Sequence, residues 1–502
     1  MSTRSEVAAP APRASQGTLR GLTGCERLVP SPMRAMLPRG GKLGVRSTIS
    51  PAEASTPAVG ADSMESKDTG GWGFDRVPGK DKIAPEAPTQ ELSPGMADKE
   101  NFKIDPSVAF WEDFTNEGLD AGKVATTIQS TIESPSDVAY WAYSLGRSAY
   151  FIGNAIAGFL FAQSQGKIAE EFSDTVQRGG AVERLTADAI EVYKWNLKWQ
   201  KEGLFKAPWD MNPRHRQFNP RYIGERILTG MEESAQVLGR RFSTDDVDTK
   251  YWMKNKLYPE YYQDTFHYQT DGWLSTRSAE TYEHSTETLF IGRQDSMQRT
   301  ALVPFGRWMK QRRDQGTSEG TPKVLEIAAG TGRFATFLKD SYPEVDLTVS
   351  DLSPFYLEQA RKNLNYWRRF RQEQSGTPNE KIAPTRFMQA AAEELPVEDA
   401  SQDCVVSVYL FHELPPEARE NVVKEVARVL KKGGKFILTD SLQYGDRPKI
   451  DAYIGNFSNF NEPWYESFLK EDFGKLLTKD GLFTCEEKVL SSVTKTLSFT
   501  RT

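Results

Sequence analysis

The stretch that most limits what this 502-residue chain can become is Val324 to Ala335, an apolar run that breaks at a glycine-spaced turn and resumes as a helix. Val324, Leu325 and Ile327 have the continuous apolar character of a buried strand. Gly330 and Gly332 carry no Cβ, so the backbone can turn sharply there and lie close to a ligand. Arg333 to Lys339 then read as a helix whose free N–H groups point back at the turn. Such a βα turn holds a cofactor. On these residues alone two cofactor classes remain open. Gly330-x-Gly332-x-x-Ala335 satisfies the dinucleotide pattern, and Asp351 stands near the spacing of a ribose-binding acid.

Around the turn, strands alternate with helices from residue 316 to 502. Strands are expected at 323–327, 346–350, 384–388, 404–410 and 435–439. Helices are expected at 334–340, 354–372, 416–431 and 468–477, with Lys432-Gly433-Gly434 closing the third of these. Segments 483–490 and 494–501 read as a closing antiparallel pair. This alternation implies a doubly wound α/β sheet with ligands at the carboxyl ends of its strands.

Five ordered segments carry a resemblance. Glu326-Ile-Ala328-Ala-Gly330-Thr-Gly332 resembles the first motif of class I S-adenosylmethionine (SAM)-dependent methyltransferases, and residues 349–361, centred on Asp351, resemble the second. Residues 391–396 with Ser401-Gln-Asp403 resemble the third, 408–414 the fourth, and 429–434 the turn after it. Together they favour SAM over a dinucleotide. The His412-Glu413-Leu414 and Glu394-Leu395-Pro396 details are most similar to the type 11, quinone C-methyltransferase-like branch. The resemblance implies a Rossmann-like, seven-stranded methyltransferase sheet behind a mostly α-helical region. It implies SAM held by Glu326, Ala328, Gly330, Thr331, Gly332, Asp351, Leu352, Ala392, Glu393 and Tyr409. Asp351 would accept from the ribose hydroxyls, Leu352 would pack on adenine, and Tyr409 would face the sulfonium. Where many relatives have an Asp before the Ala of the third motif, this chain has Ala391.

The acceptor side is less constrained. His412 and Glu413, after the fourth strand, are candidate catalytic residues, with a helix-entry role bonded to backbone as the competing assignment for His412. Asp440, after strand five, could face the acceptor. An aromatic-dense stretch at 251–290 offers His267, Tyr268, Trp273 and Tyr282 as pocket candidates, and Tyr444 adds one more. The same rings could equally be interface packing. No N/D-P-P-Y/F follows the fourth strand and no Pro-Cys occurs, which argues against methylation of adenine or cytosine in nucleic acid.

Before the sheet lie four further regions. Residues 1–60 have the Arg/Ser/Pro-rich, acid-poor composition of a chloroplast or plastid transit peptide, with the mitochondrion as alternative. Residues 1–50 carry +6 in a chain of −6, which leaves −12 for residues 51–502. So acidic a body suits no nucleic-acid backbone. Residues 61–105 read as a linker, 106–250 as a helical region, and 251–315 as an aromatic lid with leading helices, one of them spanning 285–313. The apolar run 149–162 is too short to span a membrane and reads as a buried core helix, with a peripheral membrane contact as alternative. Three scattered cysteines and four histidines predict no metal site. The expected function is methyl transfer from SAM to a small lipophilic or aromatic acceptor. The alternatives are a protein methyltransferase and a SAM-binding scaffold without catalysis.

Overall fold

A computed structural model describes residues 102–115, 120–167, 181–242, 256, 258–316, 320–374 and 381–502. The expected transit peptide, nearly all of the linker, and Tyr251 and Trp252 lie outside the described residues. The described ones belong to one compact unit.

Two core strands set the architecture. β2 (Lys323–Ile327) is buried at every position but its first, and β5 (Gln402–Val408) is apolar through its middle. Both therefore need cover on two faces, as parallel strands do. β3 (Asp346–Asp351) and β4 (Thr385–Gln389) extend the sheet on one side of β2. On the other side follow β5, β6 (Leu430–Ser441), β8 (Thr494–Arg501) and β7 (Phe483–Ser491). β8 runs antiparallel to both β6 and β7, as the closing pair requires. Because later strands flank β2 on both sides, the strand order reverses there, and the crevice opens at its carboxyl end.

The sheet has eight strands rather than seven. The extra one, β1 (Lys103–Ile104), pairs parallel with β7 at the edge. Two exposed residues leave no periodicity to read. Asp105 fixes them: it caps α1 (Pro106–Asp113) through Ser107 N at 2.9 Å and accepts from Arg307 at 2.6 Å. β6 also starts earlier than expected. Leu430 pairs with Gln402, so the helix before it stops at Val429 and the glycines lie inside the strand.

The preceding helices are α2 (Ala121–Gln129), α3 (Pro135–Ser164), α4 (Ala181–Lys201) and α5 (Pro220–Phe242). They share a hydrophobic cluster with the sheet, in which Trp111, Tyr193 and Trp199 join Val324, Phe337 and Val349. α3 starts at a capping box formed by Ser134 and Asp137. Its apolar run is buried on one side only. Phe151, Asn154, Gly158 and Ala162 are covered, whereas Ile156 and Leu160 are about half exposed, at 51% and 53%. Gly158 permits a close crossing with α5, since a Cβ there would lie 2.6 Å from Ser234 Cβ. Among the described residues no helix is long and apolar enough to cross a membrane.

The helix expected over 285–313 is three pieces: α6 (Thr276–Leu289), α7 (Gln294–Gln298) and α8 (Leu302–Asp314). The break falls at Ile291 and Gly292, which take φ of 48° and 84°. A Cβ at Gly292 would meet the Arg147 backbone at 3.1 Å. The domain's own helices are α9 (Arg333–Ser341), α10 (Pro354–Gln374), α11 (Pro416–Val429), α12 (Asp451–Ile454), α13 (Tyr465–Leu469) and α14 (Phe473–Thr478). The last two replace one expected helix, because Asp472 caps α14 through Lys475 N at 3.0 Å.

Two histidines are packed as neutral rings. His215 lies among Trp209, Tyr366 and Phe370, and burial lowers it to about 3. His284 packs on Tyr150 and Phe151, and burial lowers it to about 4. Both folded values lie below the unfolded value of about 6.5. The unfolded chain therefore binds protons first, and these groups' contribution to stability falls as pH drops from about 6.5 toward the folded values. For His215 the slope is on the order of 1.4 kcal/mol per pH unit. Denaturant midpoints at pH 7 and pH 5 should differ less in His215→Phe than in the unmodified chain. Equal differences would show that the ring already carries its proton when folded.

Candidate active site and cofactor pocket

The chain leaves β2 through three left-handed positions: Ala328 at φ 49°, Gly330 at 56° and Gly332 at 69°. Ala329 N donates to Ser350 O at 2.8 Å and ties the turn to β3. Asp351, the last residue of β3, then grips the turn. Its Oδ2 accepts from Gly330 N at 2.7 Å and its Oδ1 from Ser353 N at 2.8 Å. Burial raises its carboxyl to about 6, and the N–H donors of Ser353 and Gly330 partly offset this. Glu326, 1% exposed, is raised well above the usual range by burial and then by Asp351. Its Oε2 has no hydrogen-bond partner among the described residues.

A cavity opens over this turn. Glu326, Ala328, Gly330 and Thr331 form its floor, Asp351 and Leu352 one side, Ala392 and Glu393 another, and Tyr409 and Glu413 the far end. The structure thus brings together every expected cofactor residue except Gly332. Glycine is needed at Gly332 for a different reason: a Cβ there would lie 2.8 Å from Ala360 Cβ, so it lets α10 approach the turn. Ala391 packs with Leu352, Tyr258 and Leu274, so the missing carboxylate is replaced by an apolar wall. Glu393 is engaged by the Tyr261 hydroxyl. Tyr409 sits at φ 57° and shares a 2.6 Å hydrogen bond with Thr494 Oγ1, so its hydroxyl is tied to β8.

The aromatic stretch contributes directly to this cavity. Trp273 and Tyr282 line it and pack edge-on against Tyr356, at 5.4 Å each. They are cavity wall and interface at once. Tyr261, Tyr262 and Phe266 also line it. No motif marks these three as site residues, and the density of rings at 258–268 is their one sequence signal. Tyr268 is not in the cavity. Consecutive left-handed residues, His267 and Tyr268, turn the chain, and the Tyr268 carbonyl accepts from Arg240 at 2.7 Å. Tyr444 is not there either. It lies in a separate cavity with Gln443, Asp446 and Phe473.

His412 stands behind the cavity, 7% exposed, and its partner is a carboxylate rather than the backbone. Its Nδ1 lies 2.6 Å from Asp440 Oδ1. Asp440 is fully buried and also accepts from Phe411 N at 2.8 Å, so it holds His412 and does not face an acceptor. His267 likewise stands outside the lining, with Nδ1 2.6 Å from Glu462 Oε1 and Nε2 3.2 Å from Glu413 Oε1. Burial disfavours the charge on His267, but Glu462 and Glu413 outweigh it and raise the imidazole to about 10. Burial also opposes the charge on His412, and Asp440 outweighs it. With their protons held by carboxylates, neither ring is poised as a base at neutral pH. Glu413 does reach the cavity. Burial would raise it, but the two histidines hold it at about 2.

One buried ion cluster joins the helical region to the turn, and no sequence pattern announced it. Arg147 on α3 meets Glu287 at 2.7 Å and Asp295 at 2.6 Å. Arg333, the residue after Gly332, meets the same Asp295 at 2.6 Å and also Asp210. Glu283, Glu287, Asp295 and Arg333 all line the cavity. Its lining therefore holds seven carboxyl groups against one guanidinium.

The turn falls inside a match to a known family. The family described as "Methyltransferase domain" matches residues 324–434. Malonyl-[acyl-carrier protein] O-methyltransferase of Paenibacillus sp. is 31% identical over 145 residues, 28% of this chain and 47% of that protein. A demethylmenaquinone methyltransferase of Deinococcus radiodurans is 29% identical over 149 residues, 30% of this chain and 55% of that protein. The chain thus spans about half the length of the curated relatives it matches. The solved structure of a putative S-adenosyl-L-methionine-dependent methyltransferase from Methanococcus maripaludis is similar at 19% identity and a TM-score of 0.28, over 45% of this chain and 94% of that one. The family match runs from β2 into β6 and so contains the turn, Asp351, the Ala392–Glu393 wall, Tyr409 and Glu413. Residues 324–434 are thus similar to the family described as a methyltransferase domain.

Proposed function

We propose that this chain transfers the methyl group of SAM to a small lipophilic or aromatic acceptor. The observation that carries the reading is the cavity's lining. Carboxyl groups outnumber guanidiniums in the lining, which suits a cationic sulfonium better than the pyrophosphate of a dinucleotide. Arg147, His267 and His412 behind it offset part of that charge.

The residues present match SAM part by part. Glu326 offers a buried carboxyl oxygen that lacks a partner among the described residues, and an ammonium group would supply one. Each Asp351 oxygen already takes one N–H but can accept a second bond, which leaves room for two ribose hydroxyls. Leu352 and Ala391 supply an apolar slot for adenine. When bound, SAM supplies an electrophilic methyl group. The chain then aligns donor and acceptor and excludes water. The rings of Phe266, Trp273 and Tyr282 are suited to a flat or greasy acceptor rather than a charged one. The demethylmenaquinone in one relative's name belongs to this acceptor class, whereas the malonyl group in the other's carries a carboxylate. An address to the plastid belongs to this proposal and rests on the N-terminal composition.

Methyl-labelled SAM incubated with the purified chain, a lipid extract and a protein extract tests it. Label should enter the organic-soluble fraction. Label in protein alone would make the chain a protein methyltransferase, and label in neither would leave a SAM-binding scaffold.

A further inference from the structure

Behind Glu413 lies a group of side chains to which SAM binding gives no role. One ring nitrogen from each of His267 and His412, and one carboxylate oxygen from each of Glu413 and Glu462, all lie within 4.8 Å of one another. They come from three distant segments: the turn at 266–268, the turn after β5, and the insertion that precedes α13. His412 Nε2 is 3.5 Å from the Glu413 Oε1 that His267 Nε2 approaches at 3.2 Å.

The His267 contact is a hydrogen bond, whereas the His412 contact is an ion-pair approach only. Among the described residues, both Glu462 oxygens and Glu413 Oε2 lack a hydrogen-bond partner, although His267 Nδ1 stands 2.6 Å from Glu462 Oε1. Glu462 is 4% exposed, so water does not relieve it. Protons on the two rings serve these oxygens only in part, and a metal cation that displaces those protons would serve all of them. The second observation concerns His412. Its Nδ1 is held at 2.6 Å by Asp440, itself fixed by the N–H groups of Phe411 at 2.8 Å and Ser441 at 2.7 Å. A carboxylate on one ring nitrogen is the arrangement that orients the other toward a metal.

We propose that His267, His412, Glu413 and Glu462 bind one divalent transition-metal ion at the wall of the methyltransferase cavity. Two imidazoles and two carboxylates suit Zn²⁺, Mn²⁺ or Fe²⁺. They suit Mg²⁺ and Ca²⁺ poorly, since those ions favour all-oxygen sets. Four ligands from three segments make the ion a staple between the aromatic lid, the end of β5 and the insertion before α13. Glu413, which also lines the cavity, links the staple to the pocket. The sparse histidine count pointed away from any such site, because the fold alone brings two of the four together.

The test uses the tag-free full chain, stripped with a chelator and reloaded separately with zinc, manganese or magnesium chloride. Metal content after gel filtration and the thermal midpoint are the readouts, and cobalt(II) absorption serves as a spectroscopic probe. Zinc or manganese should be retained at about one ion per chain and raise the midpoint, as a ligand of the folded state does. Glu462→Gln and His267→Ala should each weaken retention at least about tenfold and change the cobalt(II) bands. Near-UV circular dichroism confirms that the variants fold. Failure of the folded unmodified chain to retain zinc, manganese or cobalt would overturn the site. So would equal retention by Glu462→Gln, or retention of magnesium alone.

Discussion

Asp351→Ala should weaken SAM binding by about 10²- to 10⁴-fold. A hydrogen bond to a charged group contributes roughly 1.5–3 kcal/mol, and the carboxylate is placed to accept one from each ribose hydroxyl. The same side chain holds Gly330 N and Ser353 N, so its removal also loosens the turn that meets the rest of the ligand. The expected loss exceeds that of any single aromatic wall residue for this reason. The pH dependence follows from burial, which raises the carboxyl to about 6. Above that value the group is ionised and accepts from both hydroxyls. Below it the proton removes acceptor capacity, so SAM affinity should fall as pH drops through about 6, and that fall should vanish in Asp351→Asn. Calorimetric titrations between pH 5 and 8 read both effects.

Asp295→Ala should cost about 3–5 kcal/mol of stability, the range for removing one partner from a buried ion cluster. Asp295 serves two guanidiniums at once, Arg147 on α3 and Arg333 at the start of α9. Burial disfavours its charge, yet Arg333 and Arg147 outweigh this and hold the carboxyl well below the usual range. Removing it leaves Arg333 with Asp210 and Arg147 with Glu287, and Glu287 is itself raised to about 7 by burial. Arg333 follows Gly332 directly, so SAM affinity should fall along with stability. Denaturant unfolding measures the first effect. Glu225→Ala, which breaks the exposed pair with Arg221, is the control and should move stability by less than about 1 kcal/mol. Equal losses in the two variants would mean that the buried cluster does not couple the helices to the turn.

The cofactor side was legible in the sequence because its signals are local. A strand, a glycine-spaced turn and an acid at the end of the next strand lie within thirty residues, and each demands its residue type for a backbone or hydrogen-bonding reason. Gly332 takes the left-handed turn expected of it, but its tie to Ala360 crosses from turn to helix and had no local signal. The acceptor side was legible only in part: Trp273, Tyr282 and Glu413 line the cavity, but the contacts that hold it span the chain. Arg147 on a helix face reads as a solvated charge until the fold sets it against Glu287 and Asp295. His267 and His412 read as isolated rings until Glu413 and Glu462 stand between them. The break at Ile291 and Gly292 was hidden for a related cause. Both the left-handed φ of 84° and the packing of the Arg147 backbone require glycine there. β1 escaped because two residues cannot show a period.

The most direct test of the account titrates SAM, and separately NAD, into the purified full chain by calorimetry. One SAM should bind per chain, with affinity lost in Asp351→Ala and no heat from NAD. Absence of SAM binding by the folded chain, or SAM binding unchanged in Asp351→Ala, would contradict the account.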